Sequence, residues 1–170
     1  MYKLLRQCVL AYPKRAWFSA LSAGCFGVAF AGLQLQAMLS LSPCPYCIFQ
    51  RLLYLSIGVL ALLGFLFPAA SLFWLLGILL LSLGGLGIAL YQSWMQAYPD
   101  LAPACGFSNP DLIERLVDVL GMQWPSLFLA TGFCSSKEWV FLGLSMANWS
   151  VLFFLGIIGY VLILMRHPGK

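Results

Sequence analysis

The sequence predicts an all-α integral membrane protein, a four-transmembrane-helix bundle with a long outer loop that bears a short amphipathic helix. Three observations predict it. Of 170 residues, 62% are apolar and only 8% charged, whereas a soluble domain carries roughly 25% charged residues. A soluble fold of this length would lack the polar side chains to cover its outside. Four apolar runs are each long enough to cross a hydrocarbon core of about 30 Å, which takes about 20 helical residues. Finally, Lys, Arg and the aromatic residues fall at the ends of these runs, as a bilayer demands.

The runs are residues 16–39, 48–67, 72–94 and 149–165, and Arg51 is the one charge inside any of them. Trp17, Tyr46, Trp94, Tyr98, Trp139 and Trp149 stand at headgroup level. The first run follows Lys3, Arg6, Lys14 and Arg15, so a signal peptide has to be weighed. Its apolar stretch exceeds the 7–15 residues typical of such a peptide. The run also continues well past Ser22-Ala23-Gly24-Cys25, a faint lipoprotein box. It is expected to stay as an anchor. Small residues recur at Ser19, Ala23, Gly27 and Ala31, and at Gly77, Gly85, Ala89 and Ser93. Such stripes predict close helix packing in lipid.

The amino-terminal segment carries four basic residues and no acid, and Arg166 and Lys170 flank the last run. Both termini are therefore expected in the cytoplasm. That places residues 40–47 and 95–148 outside, in one membrane domain covering residues 1–170 without internal repeats. The long loop holds Asp100, Asp111, Glu114, Asp118 and Glu138 against Arg115 and Lys137, which suits an exported segment. Within it, Asn109-Pro110 predicts a helix start and Gly121 a stop. Leu112, Ile113, Leu116, Val117 and Leu120 share one face, while Asp111, Glu114, Arg115 and Asp118 take the other. This helix is expected to lie flat at the outer interface.

The topology sorts the six cysteines. Cys8 falls on the reducing side and Cys25 within lipid, and both read as structural. Cys44, Cys47, Cys105 and Cys134 all lie outside, where disulfides persist. Cys44-Pro45-Tyr46-Cys47 is a C-x-x-C motif whose ring is too small to act mainly as a staple. Pro43 and Pro45 hold Cys44 extended. Cys47 opens the second helix, where free N–H groups and the helix dipole favour a thiolate. Arg51 lies one turn further along the same face. It reads either as a partner for an anion or as an arginine snorkelling to the headgroups.

A bridge between Cys105 and Cys134 would close a loop of about 30 residues, worth about 3 to 4 kcal/mol in the chain-entropy model. Staple and redox relay stay equally open on these grounds. The cysteine spacings are unlike common zinc modules. A c-type haem needs His directly after the second cysteine, where Ile48 stands. No metal is expected, and no nucleic acid among the partners.

Taken together, Arg6-Gln7-Cys8, Pro-Cys-x-x-Cys-Ile-x-x-Arg over residues 43–51, Tyr98-Pro99 ahead of Cys105, Ala130-Thr131-Gly132-Phe133-Cys134, Trp139, Phe141-Leu142-Gly143-Leu144 and Trp149 resemble the bacterial disulfide bond formation protein B (DsbB) family. The resemblance covers most of the chain. It implies an inner-membrane enzyme that reoxidises the periplasmic thiol oxidase DsbA and passes electrons to a membrane quinone, ubiquinone or menaquinone. It further implies that Cys105 forms the mixed disulfide with DsbA, with Cys134 as its partner. Cys44 and Cys47 would be the quinone-side pair, with Cys47 nearest the quinone and Arg51 stabilising the thiolate or the reduced quinone.

Gln34, Gln36, Gln50, Tyr54 and Gln92 lie at the matching depth to line a headgroup pocket or to solvate helix ends. Gln50 stands where some family members carry an acid, and Ser93 where some carry histidine. Two rivals stay open: a paralogue dedicated to another DsbA-like partner, and a non-enzymatic membrane scaffold or transporter subunit whose outer cysteines are staples.

Overall fold

The computed structural model describes residues 14–100, 111–137 and 139–166. Four long helices, α1 (Lys14–Leu39), α2 (Pro45–Leu66), α3 (Ser71–Ala97) and α6 (Met146–Arg166), are each long and apolar enough to cross a membrane. A 3-10 turn, Pro68–Ala70, joins α2 to α3. Between α3 and α6 lie α4 (Leu112–Gln123), the short α5 (Pro125–Phe128) and a two-stranded hairpin, β1 (Val140–Phe141) with β2 (Leu144–Ser145).

Helix α2 is the axis of the bundle. Over its apolar window 44% of residues are buried, against 17–28% in the other three. The outward faces of those three carry large exposed apolar side chains such as Phe30, Leu80 and Leu155, as suits a lipid environment. The core joins Phe18, Leu21, Cys25 and Ala29 of α1 to Leu53, Tyr54, Ile57 and Ala61 of α2, with Leu75, Ile78 and Ala89 of α3 and Phe154 and Val161 of α6. Tyr54 stacks on Phe154 with centroids 4.6 Å apart. Gly85 admits Phe154, whose ring fills the place a Cβ would take. Ser22 Oγ donates to the Gly58 carbonyl at 2.9 Å, a polar tie between α1 and α2.

The small-residue stripes behave differently in the two helices. In α3, Gly85 and Ala89 are buried in the bundle as the spacing predicts. In α1, Ser19, Ala23, Gly27 and Ala31 are all exposed. The opposite face packs instead, because bulky Phe18 fills a notch made by Gly64.

Helix α1 ends at Ser40, whose φ of 49° lets the Leu41 N–H reach back to the Gln36 carbonyl at 3.1 Å. Helix α2 begins at Pro45 rather than Ile48, since Cys44 supplies its cap. The loop helix also departs from expectation. Its cap is Asp111, and Asn109-Pro110 lie outside the described residues. Glu114 is buried rather than on the open polar face, because its carboxylate turns back to accept from the Asp111 N–H at 3.0 Å. Nor does Gly121 stop the helix. It sits in contact distance of the Phe128 carbonyl, and the helix runs on to Gln123, ahead of Pro125. Ile113, Val117 and Leu120 pack α4 against Ile48, Phe49, Leu52 and Leu55 of α2.

Candidate functional site: three sulfurs at the head of the second helix

The site is built from the first turn of α2. Cys44 is extended at φ −82°, ψ 162°, and its Sγ accepts from the Cys47 N–H at 3.3 Å, doing the work of an N-cap oxygen. Pro45 follows at the first helical position, where its missing N–H costs nothing. This geometry brings Cys44 Sγ within 3.0 Å of Cys47 Sγ.

The third sulfur arrives on the long loop. The Thr131 and Gly132 N–H groups both donate to the Pro43 carbonyl, at 3.0 and 3.1 Å. At Gly132 the loop backbone comes so close that a Cβ would overlap the Ser42 carbonyl. That approach delivers Cys134, fully buried, into the same packed cluster as Cys44. Burial pushes the Cys44 thiol well above its usual range, and contact with Cys134 and Cys47 pushes it the same way. Gln96 of α3 fastens the far side of the loop: its Nε2 donates to the Ser136 carbonyl at 3.1 Å, and its Oε1 accepts from Ser145 Oγ at 2.6 Å. Tyr46, between the two cysteines, donates to the Asp111 carboxylate and so ties the start of α4 to the same turn.

Arg51 does not snorkel. It is 8% exposed, with Nη1 donating to the Leu127 carbonyl and Nη2 to Gln36 Oε1, each at 2.8 Å. It also stands close enough to Cys47 for direct electrostatic interaction. Both side chains line a cavity of about 450 Å³ between α1, α2, α3 and α6. Gln36, Gln50, Tyr54 and Gln92 line it too, whereas Gln34 points out of the bundle. Its outer wall is aromatic. Trp139, Phe141, Trp149 and Phe153 follow one another at centroid distances of 5.8, 6.1 and 6.2 Å, and the Trp149 indole donates to the Phe141 carbonyl. A two-residue turn at Leu142 (φ 52°) and Gly143 (φ 79°) folds β1 onto β2 and sets that wall.

Cys105 and Cys8 lie outside the described residues. Cys25 is buried in the helix core among Phe18 and Tyr54. Ser93 bonds its own helix at the Ala89 carbonyl, and its neighbour Gln92 is the α3 residue that meets the sulfurs. Sequence reasoning did not single out Gln96 or the Gly132 approach. Glycine two places before a cysteine was the available signal for the second.

Chemically, three adjacent sulfurs permit exchange through mixed disulfides, and an arginine-bearing apolar cavity beside them suits a flat, weakly polar acceptor. Comparisons with known proteins find relatives over most of the chain. The family model described as disulfide bond formation protein DsbB matches residues 14–164. A disulfide bond formation protein B of Dechloromonas aromatica (strain RCB) is 60% identical over 93% of this chain and 96% of its own length. Proteins of the same name from Aromatoleum aromaticum and Azoarcus sp. (strain BH72) are 42% and 38% identical, covering 84% and 86% of this chain and 86% and 90% of theirs. This chain, with its three clustered sulfurs on a four-helix membrane bundle, belongs to the DsbB family of disulfide bond formation proteins.

Proposed function

We propose that the protein is a quinone-dependent thiol oxidase of the bacterial inner membrane, with both termini cytoplasmic, that reoxidises a DsbA-like periplasmic partner of thioredoxin fold. The observation that carries this reading is the contact of Cys134 with Cys44, while Cys47 lines the cavity that holds Arg51. In this reading a Cys105–Cys134 pair and the Cys44–Cys47 pair act in series between the outside and the lipid.

In this reading a partner thiolate attacks Cys105 of a Cys105–Cys134 disulfide and Cys134 leaves. Cys134 then attacks Cys44 of a Cys44–Cys47 disulfide. A Cys134–Cys44 bond forms, the Cys44–Cys47 bond breaks, and Cys47 takes the electron pair as a thiolate. The second thiolate of the partner's dithiol then attacks the partner sulfur of the mixed disulfide, which forms the partner's own disulfide and frees Cys105 as a thiolate. Return attack by Cys105 on Cys134 restores the loop disulfide and releases Cys44. Each step exchanges one disulfide for another, and the two electrons end on Cys44 and Cys47.

The cavity fits a quinone ring. Its walls are mostly apolar, and the Arg51 guanidinium has more donors than its two bonds to Leu127 and Gln36 use. Bound quinone would supply the acceptor for two electrons and two protons, ubiquinone or menaquinone alike. Arg51 would hold a carbonyl oxygen and favour negative charge beside Cys47, and the aromatic wall would exclude water. The test is quinone reduction by the purified protein supplied with reduced DsbA. No reduction of either ubiquinone or menaquinone would remove this function.

A further inference from the structure

Two carboxamides are buried where the helices cross beneath the sulfurs. Gln92 of α3 is 1% exposed and Gln50 of α2 is 3% exposed. Gln50 Nε2 donates to Gln92 Oε1 at 2.8 Å, which leaves the Gln92 amide N–H groups to point the other way. They meet both sulfurs, Cys47 Sγ at 3.0 Å and Cys44 Sγ at 3.2 Å. Burying two amides within a membrane bundle is unfavourable unless their polar atoms are used. A Gln–Gln tie alone would serve as interhelical glue, yet it would not need both sulfurs at the free end.

We propose that Gln92 is a catalytic residue of this site, a neutral hydrogen-bond donor that stabilises the reduced C-x-x-C pair over its disulfide, and that Gln50 is the positioning residue that aims it. Reduction of the Cys44–Cys47 disulfide by two electrons leaves sulfur carrying negative charge, and a bond to a charged acceptor is stronger than one to a neutral one. The donor therefore favours the reduced side of the couple and makes the pair more oxidising. A neutral amide does this without adding a second buried cation beside Arg51. The inference deepens the thiol-oxidase reading and rests on it for the pair's use in turnover.

The test is the reduction potential of the full-length, quinone-depleted protein with Cys105→Ala and Cys134→Ala, equilibrated against dithiothreitol couples. Gln92→Met keeps the length of the side chain and removes the donor. It is expected to shift the dithiol–disulfide equilibrium about tenfold toward the disulfide, a fall of about 30 mV. Gln50→Met should shift it the same way by less, and Gln92→Asn should recover part of the loss. Gln92→Leu also lacks the donor and adds neither charge nor O–H, and it decides the matter where the Met variant does not fold. Potentials equal to the parent's in the folded variants, even with lowered melting temperatures, would make the amide pair glue alone and overturn the proposal. A shifted potential in a protein that reduces no quinone would keep Gln92's role and remove the oxidase reading instead.

Discussion

Cys44 and Cys47 are built into the molecule, whereas Cys134 is docked onto it. The first pair caps and opens a helix whose inner face is the core of the bundle, with Tyr54 and Phe154 stacked two turns below. Cys134 hangs on a loop held by two main-chain bonds to Pro43 and by the Gln96 clasp on Ser136. The contrast suits the two tasks proposed above. A dithiol that serves an acceptor in the membrane gains from a fixed position, and a loop that must meet a soluble partner has to be able to leave.

The largest effects should come from the cysteines themselves. Cys47→Ser should abolish electron delivery to quinone while leaving the loop open to attack by DsbA. Cys134→Ser should accumulate a disulfide between Cys105 and DsbA, while Cys44 and Cys47 still cycle with quinone under a small dithiol. Non-reducing electrophoresis beside a quinone-reduction assay reads both. If Cys134→Ser traps no partner and keeps full DsbA oxidation, the loop bridge is a staple and the series arrangement fails.

Next in size is Gly132→Ala, aimed at the docking alone. The added Cβ meets backbone at Ser42, which has no flexible end to yield. Losing the Thr131 and Gly132 bonds costs about 2 kcal/mol at about 1 each, or roughly thirtyfold in the docked population. DsbA-driven turnover should fall by that order, with small-dithiol turnover through Cys44 and Cys47 unchanged. Equal losses in both assays would mean that the loop holds up the site rather than docking on it.

How much of this was legible in the sequence follows the same divide. The helices and the C-x-x-C turn are local: apolar run length, Pro45 and an extended Cys44 determine them from neighbouring residues. The pocket polars were legible by depth, but depth does not tell the face of a helix, and so Gln34 and the α1 stripe point outward. The Cys134–Cys44 contact joins segments far apart in the chain. It depends on what Gly132 does not have, which no periodicity registers. Glu114 departs from the polar-face pattern because its carboxylate closes a capping box, which a face assignment does not register.

A smaller effect is expected at Arg51, which belongs to the built part but also holds the loop through Leu127. Arg51→Gln should weaken apparent quinone affinity about tenfold, by loss of one charged hydrogen bond, and slow Cys47 alkylation. Arg51→Lys should restore part of both, keeping the charge without the planar fork. If quinone affinity and Cys47 alkylation stay at parental values in Arg51→Gln, the arginine only fastens the Leu127 carbonyl.

The smallest effect is a pH profile, and it compares the built and docked parts within one sulfur. Cys44 lies under the docked loop, and burial with Cys134 beside it raises its thiol above the unperturbed 9.0. A raised value means less thiolate at any given pH, so Cys44 in the reduced protein should resist iodoacetamide at pH 9.0, where a free thiol of that value would be half ionised. Its modification should climb only in more alkaline buffer. Undocking removes two of the three causes, since it exposes the sulfur and withdraws Cys134 but leaves Cys47 in place. Gly132→Ala should therefore move the Cys44 profile part of the way back toward 9.0. Peptide mass spectrometry of partly alkylated protein resolves the two cysteines separately. A Cys44 profile centred at 9.0 in the parent, or one that Gly132→Ala leaves unmoved, would show that the loop does not cover this sulfur in solution.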